Sequence, residues 1–237
     1  MNTIEGMLVI TIFILIKICI TMVMAIIIFQ RFFEQDELNI FDFSFLIGLF
    51  FIGLIFGKCI YLIYLLTYFT IGEVESLFLL KIRYIFIILT AAPLISLGNM
   101  IIMNGKENGK ESDDKLNFII VLLFIIITIY LVIITLSYII LNIIIAIIHI
   151  SSLSWICLTF IYAYRKKRLF GINFLIIAII LLVDLILYIF SIATSPIRRE
   201  TIGFSPLYII FAEFIDLTII IIIFFGYIKK PSYISEN

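Results

Sequence analysis

The apolar positions of this chain fall in long unbroken runs. They do not form the two-residue alternation of half-buried strands or the single stripe of a surface helix. Seven runs predict seven spans, over residues 7–29, 43–66, 81–103, 116–136, 138–163, 172–193 and 205–228. Each is long enough to cross a hydrocarbon core of about 30 Å as a helix. A membrane barrel needs alternating segments of roughly ten residues, and the sequence has none. The expected fold is therefore all-α: an integral membrane bundle of seven transmembrane helices, forming one domain over residues 1–237.

The difficult stretch is Leu116–Tyr164, 49 residues of nearly continuous hydrophobicity. As a single helix it would reach about 70 Å, more than twice the hydrocarbon thickness. It must turn, and Ser137–Tyr138 is the polar interruption nearest its middle, although no Gly or Pro marks it. The other connections are clearer. Polar residues separate the first two spans (QRFFEQDELNIFD), and Thr67–Leu80 joins the second to the third. Asn104–Lys115 carries two Asn-Gly pairs and no apolar residue, and TSPIRRETIGFS precedes the last span. Pro93 lies inside the third span and predicts a kink there. The first run has no basic segment before it and no small-residue cleavage site after it, so it is expected to be a retained span.

Composition agrees with this pattern. The chain is 65% hydrophobic, with a mean hydropathy of +1.32, against about 45–50% apolar residues in soluble domains. The connections are too short to hold a soluble domain. Sixteen basic and sixteen acidic residues balance, which argues against a nucleic-acid partner. Cys19, Cys59 and Cys157 all lie within apolar runs, where they act as small apolar side chains and not as a disulfide framework. The basic residues are unevenly divided. One set of connections and the C-terminal tail hold Arg31, Lys106, Lys110, Lys115, Arg165, Lys166, Lys167, Arg168, Lys229 and Lys230, and the other holds Lys81, Arg83, Arg198 and Arg199. The positive-inside rule then predicts an outside N-terminus and a cytoplasmic C-terminus. Arg165–Arg168 with Lys229 and Lys230 would form a cytoplasmic basic surface facing anionic lipid or a protein partner.

Five charged residues fall deep inside spans: Lys17, Lys58, Asp184, Glu213 and Asp216. Counted at 1.5 Å per residue from the outer span ends, all lie roughly 12–17 Å deep, in one layer near the midplane. Left unpaired, they would cost on the order of 12–17 kcal/mol. The economical arrangement sets the lysines of spans 1 and 2 against the acids of spans 6 and 7. Glu213 and Asp216, three apart, share one helical face. His149, the sole histidine, sits at the same depth in span 5, on a stripe with Asn142, Ala146 and Ser152. A hydrogen-bonded structural role, a proton-linked role and a metal ligand are all open to it. Gly53 and Gly57 make a GxxxG in span 2, which predicts close helix packing.

Seven spans with an outside N-terminus resemble the receptor and opsin architecture. The last span, however, carries Glu213 and Asp216 where a retinal protein has its lysine. Neither a D/E-R-Y-like end of span 3 nor an N-P-x-x-Y in span 7 is present. Glu75, Lys81, Tyr84 and Pro93 resemble part of the seven-span sensor modules of bacterial and archaeal signalling proteins. Asp184 and Asp216 resemble the paired aspartates of presenilin-like intramembrane proteases, which would imply acid–base activation of water. The G-x-G-D and P-A-L of that family are missing, and no other hydrolase, zinc-peptidase or phosphate-loop motif occurs. The leading expectation is a sensor- or receptor-like seven-helix module, not an enzyme, with no cofactor and no metal. Its ligand or proton site would use Lys17, Lys58, His149, Asp184, Glu213 and Asp216, and its setting would be the plasma membrane. The alternatives are a small transporter or channel subunit using the same layer, and a structural subunit of a membrane complex.

Overall fold

The computed structural model describes residues 3–35, 42–70, 73–103, 110–166, 172–201 and 206–229. Among these the regular secondary structure is helix. The helices are α1 (Thr3–Phe33), α2 (Phe43–Thr70), α3 (Glu73–Met103), α4 (Lys110–Ile134), α5 (Tyr138–Arg165), α6 (Phe174–Thr201) and α7 (Pro206–Ile228). Each contains a segment long and apolar enough to cross a membrane. Large apolar side chains stand exposed on all of them, among them Leu8, Phe56, Phe78, Ile126, Ile139, Phe190 and Phe211. Water would make such a surface unfavourable, whereas hydrocarbon solvates it. This is a multi-pass integral membrane protein.

Side-chain caps set several helix starts. Asp42 caps α2, its Oδ1 accepting from the Ser44 N–H at 2.7 Å. Asn173 caps α6, its Oδ1 accepting from the Ile176 N–H at 3.2 Å. Ser137 stands before α5, where its Oγ faces the Ile140 N–H at 3.5 Å and its carbonyl takes the Leu141 N–H at 2.9 Å. Each satisfies donors that a helix start leaves without an internal partner. Only residues 135–137 separate α4 from α5, so the long apolar stretch turns at a serine cap without Gly or Pro. Pro206 occupies the first position of α7, where its missing N–H is harmless.

Several helices outrun the spans predicted from hydropathy. The Thr67–Leu80 connection shrinks, because α2 continues to Thr70 and α3 begins at Glu73. The Asn104–Lys115 loop loses its second half to α4, which starts at Lys110. The start of the Thr194–Ser205 connection is likewise helical, as far as Thr201. Hydropathy marks the length immersed in lipid, whereas a helix continues wherever its residues allow.

Packing divides the chain into two compact units, Met1–Lys17 with Leu153–Asn237, and Ile18–Ser152. In the second, α3 packs on both α2 and α4. The Phe29 ring lies over Gly48, where an added Cβ would come within 2.8 Å of it. Phe29 and Phe32 both pack on Phe45. Gly53 brings α2 against Thr90 of α3: a Cβ there would stand 2.6 Å from the threonine Oγ1 and 3.1 Å from its Cα. Pro93 lies within the continuous α3. In the first unit, α6 packs on α7. The Asn173 N–H donates to the Gly226 carbonyl at 2.8 Å, and Phe160 of α5 meets Phe174 of α6 edge-on.

Candidate functional site

In the first unit, α1 and α7 meet through charge. Lys17 is wholly buried, and its Nζ donates to Glu213 Oε2 at 2.9 Å and also to Asp216 Oδ2. The two acids are three residues apart, which sets both on the α7 face that meets α1. One turn before Lys17, Phe13 packs against Phe214, with ring centroids 6.5 Å apart, and closes one flank with apolar surface. The two carboxylates are not equivalent. The Glu213 side chain is 7% exposed and that of Asp216 is 39% exposed. The cluster thus holds one ammonium and two carboxyls, and Asp216 is the member nearest the surroundings. With all three groups ionised it would carry one excess negative charge, and neighbouring carboxylates oppose one another's ionisation.

Asp184, on α6 in the same unit, is half-buried and lies within electrostatic reach of the buried Cys157. The Cys157 thiol faces the Ala178 carbonyl at 3.7 Å. Lys58 belongs to the second unit. Its Nζ sits 5.3 Å from the centroid of the Tyr61 ring, which the guanidinium of Arg83 also approaches, to 4.1 Å. His149, in that unit too, lines a crevice with Ile87, Ile88, Ala91, Ile145, Ile148 and Ser152, with room for about one water molecule. Ser152 donates to the Ile148 carbonyl at 2.8 Å, and Asn142 accepts from the Tyr84 hydroxyl. Of the GxxxG pair, Gly53 makes the close approach, whereas a Cβ at Gly57 would meet nothing within 4 Å. Of the basic surface residues, Arg165, Lys166 and Lys229 are exposed. Lys167, Arg168 and Lys230 lie outside the described residues. Among the described residues no group of three His, Cys, Asp or Glu side chains is placed to hold a metal.

Sequence reasoning missed two polar sites. Asn117 of α4 is completely buried. Its Nδ2 donates to Ser96 Oγ at 2.9 Å, and its Oδ1 accepts from Asn99 Nδ2 at 3.1 Å. Asn99 and Asn117 lie near the ends of their apolar runs, where a neutral polar residue resembles an interface residue, so hydropathy gave no signal. The second is Lys81, whose Nζ donates to the Ile133 carbonyl at 2.8 Å, a cation at the C-terminal end of α4. Comparison with known protein families, with curated proteins and with solved structures finds no match.

Proposed function

We propose that this protein is a sensor- or receptor-like seven-helix membrane module whose working element is the Lys17–Glu213–Asp216 cluster. The observation that carries the reading is the imbalance of the site: a wholly buried lysine serves two carboxyls, one buried and one partly exposed. Lys17 and Glu213 can remain paired while Asp216 exchanges a proton or gives up the lysine in favour of a cationic ligand. Either event changes how firmly α7 holds α1, and a signal needs such a differential interaction between two states. A lysine with a single buried acid would lack that adjustable second contact. Lys58, His149 and Asp184 are proposed as secondary polar positions of the same module. The N-terminus is proposed to be outside and the C-terminus in the cytoplasm of the plasma membrane, supported by the bias of basic residues between the two sides. Arg165–Arg168 with Lys229 and Lys230 would meet anionic lipid or a protein partner there.

The test is infrared difference spectroscopy on the protein in nanodiscs, stepped across pH. A carboxylic C=O band should titrate in the wild type, vanish in Asp216→Asn and persist in Glu213→Gln. An unchanged band in Asp216→Asn would remove the basis of the reading.

A further inference from the structure

The turn between α4 and α5, residues 135–137, contains neither Gly nor Pro. Large apolar side chains stand exposed around it: Ile134, Leu136, Ile139 and Ile140. Lipid solvates such side chains but offers no donor to the carbonyls that end a helix. The protein supplies the donors itself. The Thr135 hydroxyl donates to the Leu131 carbonyl at 2.7 Å, and Lys81 of α3 donates to the Ile133 carbonyl at 2.8 Å. On the other side of the turn, the Tyr84 hydroxyl, also from α3, donates to Asn142 Oδ1 near the start of α5.

Lys81 and Tyr84 are three apart and share a face of α3. Arg83 projects about 160° round the helix from Lys81 and meets the Tyr61 ring of α2 instead, at 4.1 Å from its centroid. One turn of α3 thus holds both sides of the α4–α5 turn and leaves its other face to α2. The two contacts close a ring: α3, the end of α4, three linking residues, and the start of α5. A short link keeps the second contact at high effective concentration while the first is made, so each contact strengthens the other. We infer that Lys81 and Tyr84 are a two-point clamp on the α4–α5 turn, so that the end of α4 and the start of α5 open together.

The test is hydrogen–deuterium exchange of the full chain in nanodiscs, read by mass spectrometry over residues 131–134 and 138–145. Lys81→Met removes a hydrogen bond from a charged donor and should speed exchange about tenfold in both segments. Tyr84→Phe removes a neutral one and should speed it about fivefold, again in both. The double variant should be faster than Lys81→Met by clearly less than the Tyr84→Phe factor, because either contact is weak once the other is broken. Arg83→Gln, on the other face, should leave both segments as in the wild type. Tyr84→Phe deletes a single hydroxyl, so it decides the matter even where Lys81→Met fails to fold. Four results would overturn the clamp: a Lys81→Met effect confined to residues 131–134, a Tyr84→Phe effect confined to residues 138–145, a double variant whose effect is the full product of the two, or an Arg83→Gln that speeds both segments as much as Lys81→Met.

Discussion

Replacing Lys17 with methionine tests what the buried charge contributes. Methionine fills nearly the same volume, so the lost ammonium, not a cavity, dominates the outcome. Glu213 is then left with its side chain 7% exposed and its 2.9 Å partner gone. Removing one partner of a buried pair costs about 3–5 kcal/mol, because the other charge is stranded. Asp216 is 39% exposed, so its share is discounted towards the value of about 0–1 kcal/mol for exposed pairs. Lys17→Met should therefore lose about 3–5 kcal/mol in unfolding titrations in mixed lipid–detergent micelles followed by far-ultraviolet circular dichroism. Removing the stranded charges as well, in Lys17→Met/Glu213→Gln/Asp216→Asn, should restore stability to within about 1–2 kcal/mol of the wild type, since apolar or neutral replacements of whole buried pairs are often tolerated. A triple variant as unstable as Lys17→Met would refute the reasoning, because stranded charge would then not be the source of the loss. A loss below about 1 kcal/mol for Lys17→Met would show that the cluster behaves as an exposed pair.

Gly53→Val should destabilise by about 1–3 kcal/mol, because its Cβ meets the Thr90 backbone as well as its side chain. Gly57→Ala should be neutral or stabilise by up to about 1 kcal/mol, since a Cβ there meets nothing within 4 Å and Ala favours helix; the same titration distinguishes the two. Asn117→Ala removes the hydrogen bonds that Asn117 makes to Asn99 and Ser96 in the buried α3–α4 contact and should cost about 1–3 kcal/mol, with faster amide exchange in α4. Cysteines placed singly in the Asn104–Lys115 connection should resist a membrane-impermeant maleimide on intact cells and react after permeabilisation. Reaction on intact cells would reverse the proposed orientation.

The parts of the fold readable in the sequence are those that depend on length. A run too apolar for water and too long for one bilayer must turn, and Ser137 supplied the turn by capping, without Gly or Pro. The helix extensions at Glu73, Lys110 and Thr201 were not readable, because hydropathy reports immersion and not where hydrogen bonding ends. Depth set Lys17 and Lys58 together against Asp184, Glu213 and Asp216, since ionised groups near the midplane have few other partners, and of these pairings the contact of Lys17 with Glu213 and Asp216 is observed. Depth says nothing of which neighbour faces a side chain, so the aromatic setting of Lys58 beside Arg83 could not be read from it. The same limit applies to glycines. Gly53 and Gly57 look alike in a GxxxG, and only the position of Thr90 separates them. At Gly226, the facing Ile177 side chain, 2.7 Å from where a Cβ would stand, makes the difference.

Lys17 and Glu213 are separated by 196 residues, which gives their contact a place in time. A ribosome adding roughly 5–20 residues per second needs about 10–40 s to deliver α7 after α1 has formed. Throughout that interval the first span sits in or beside the bilayer with a lysine whose acids do not yet exist, held by its isoleucines and leucines against a penalty of about 2.5–3.5 kcal/mol. During synthesis α1 is thus an incomplete helix, exposed to whatever surveys the membrane for unpaired charge, and translation of α7 ends that exposure.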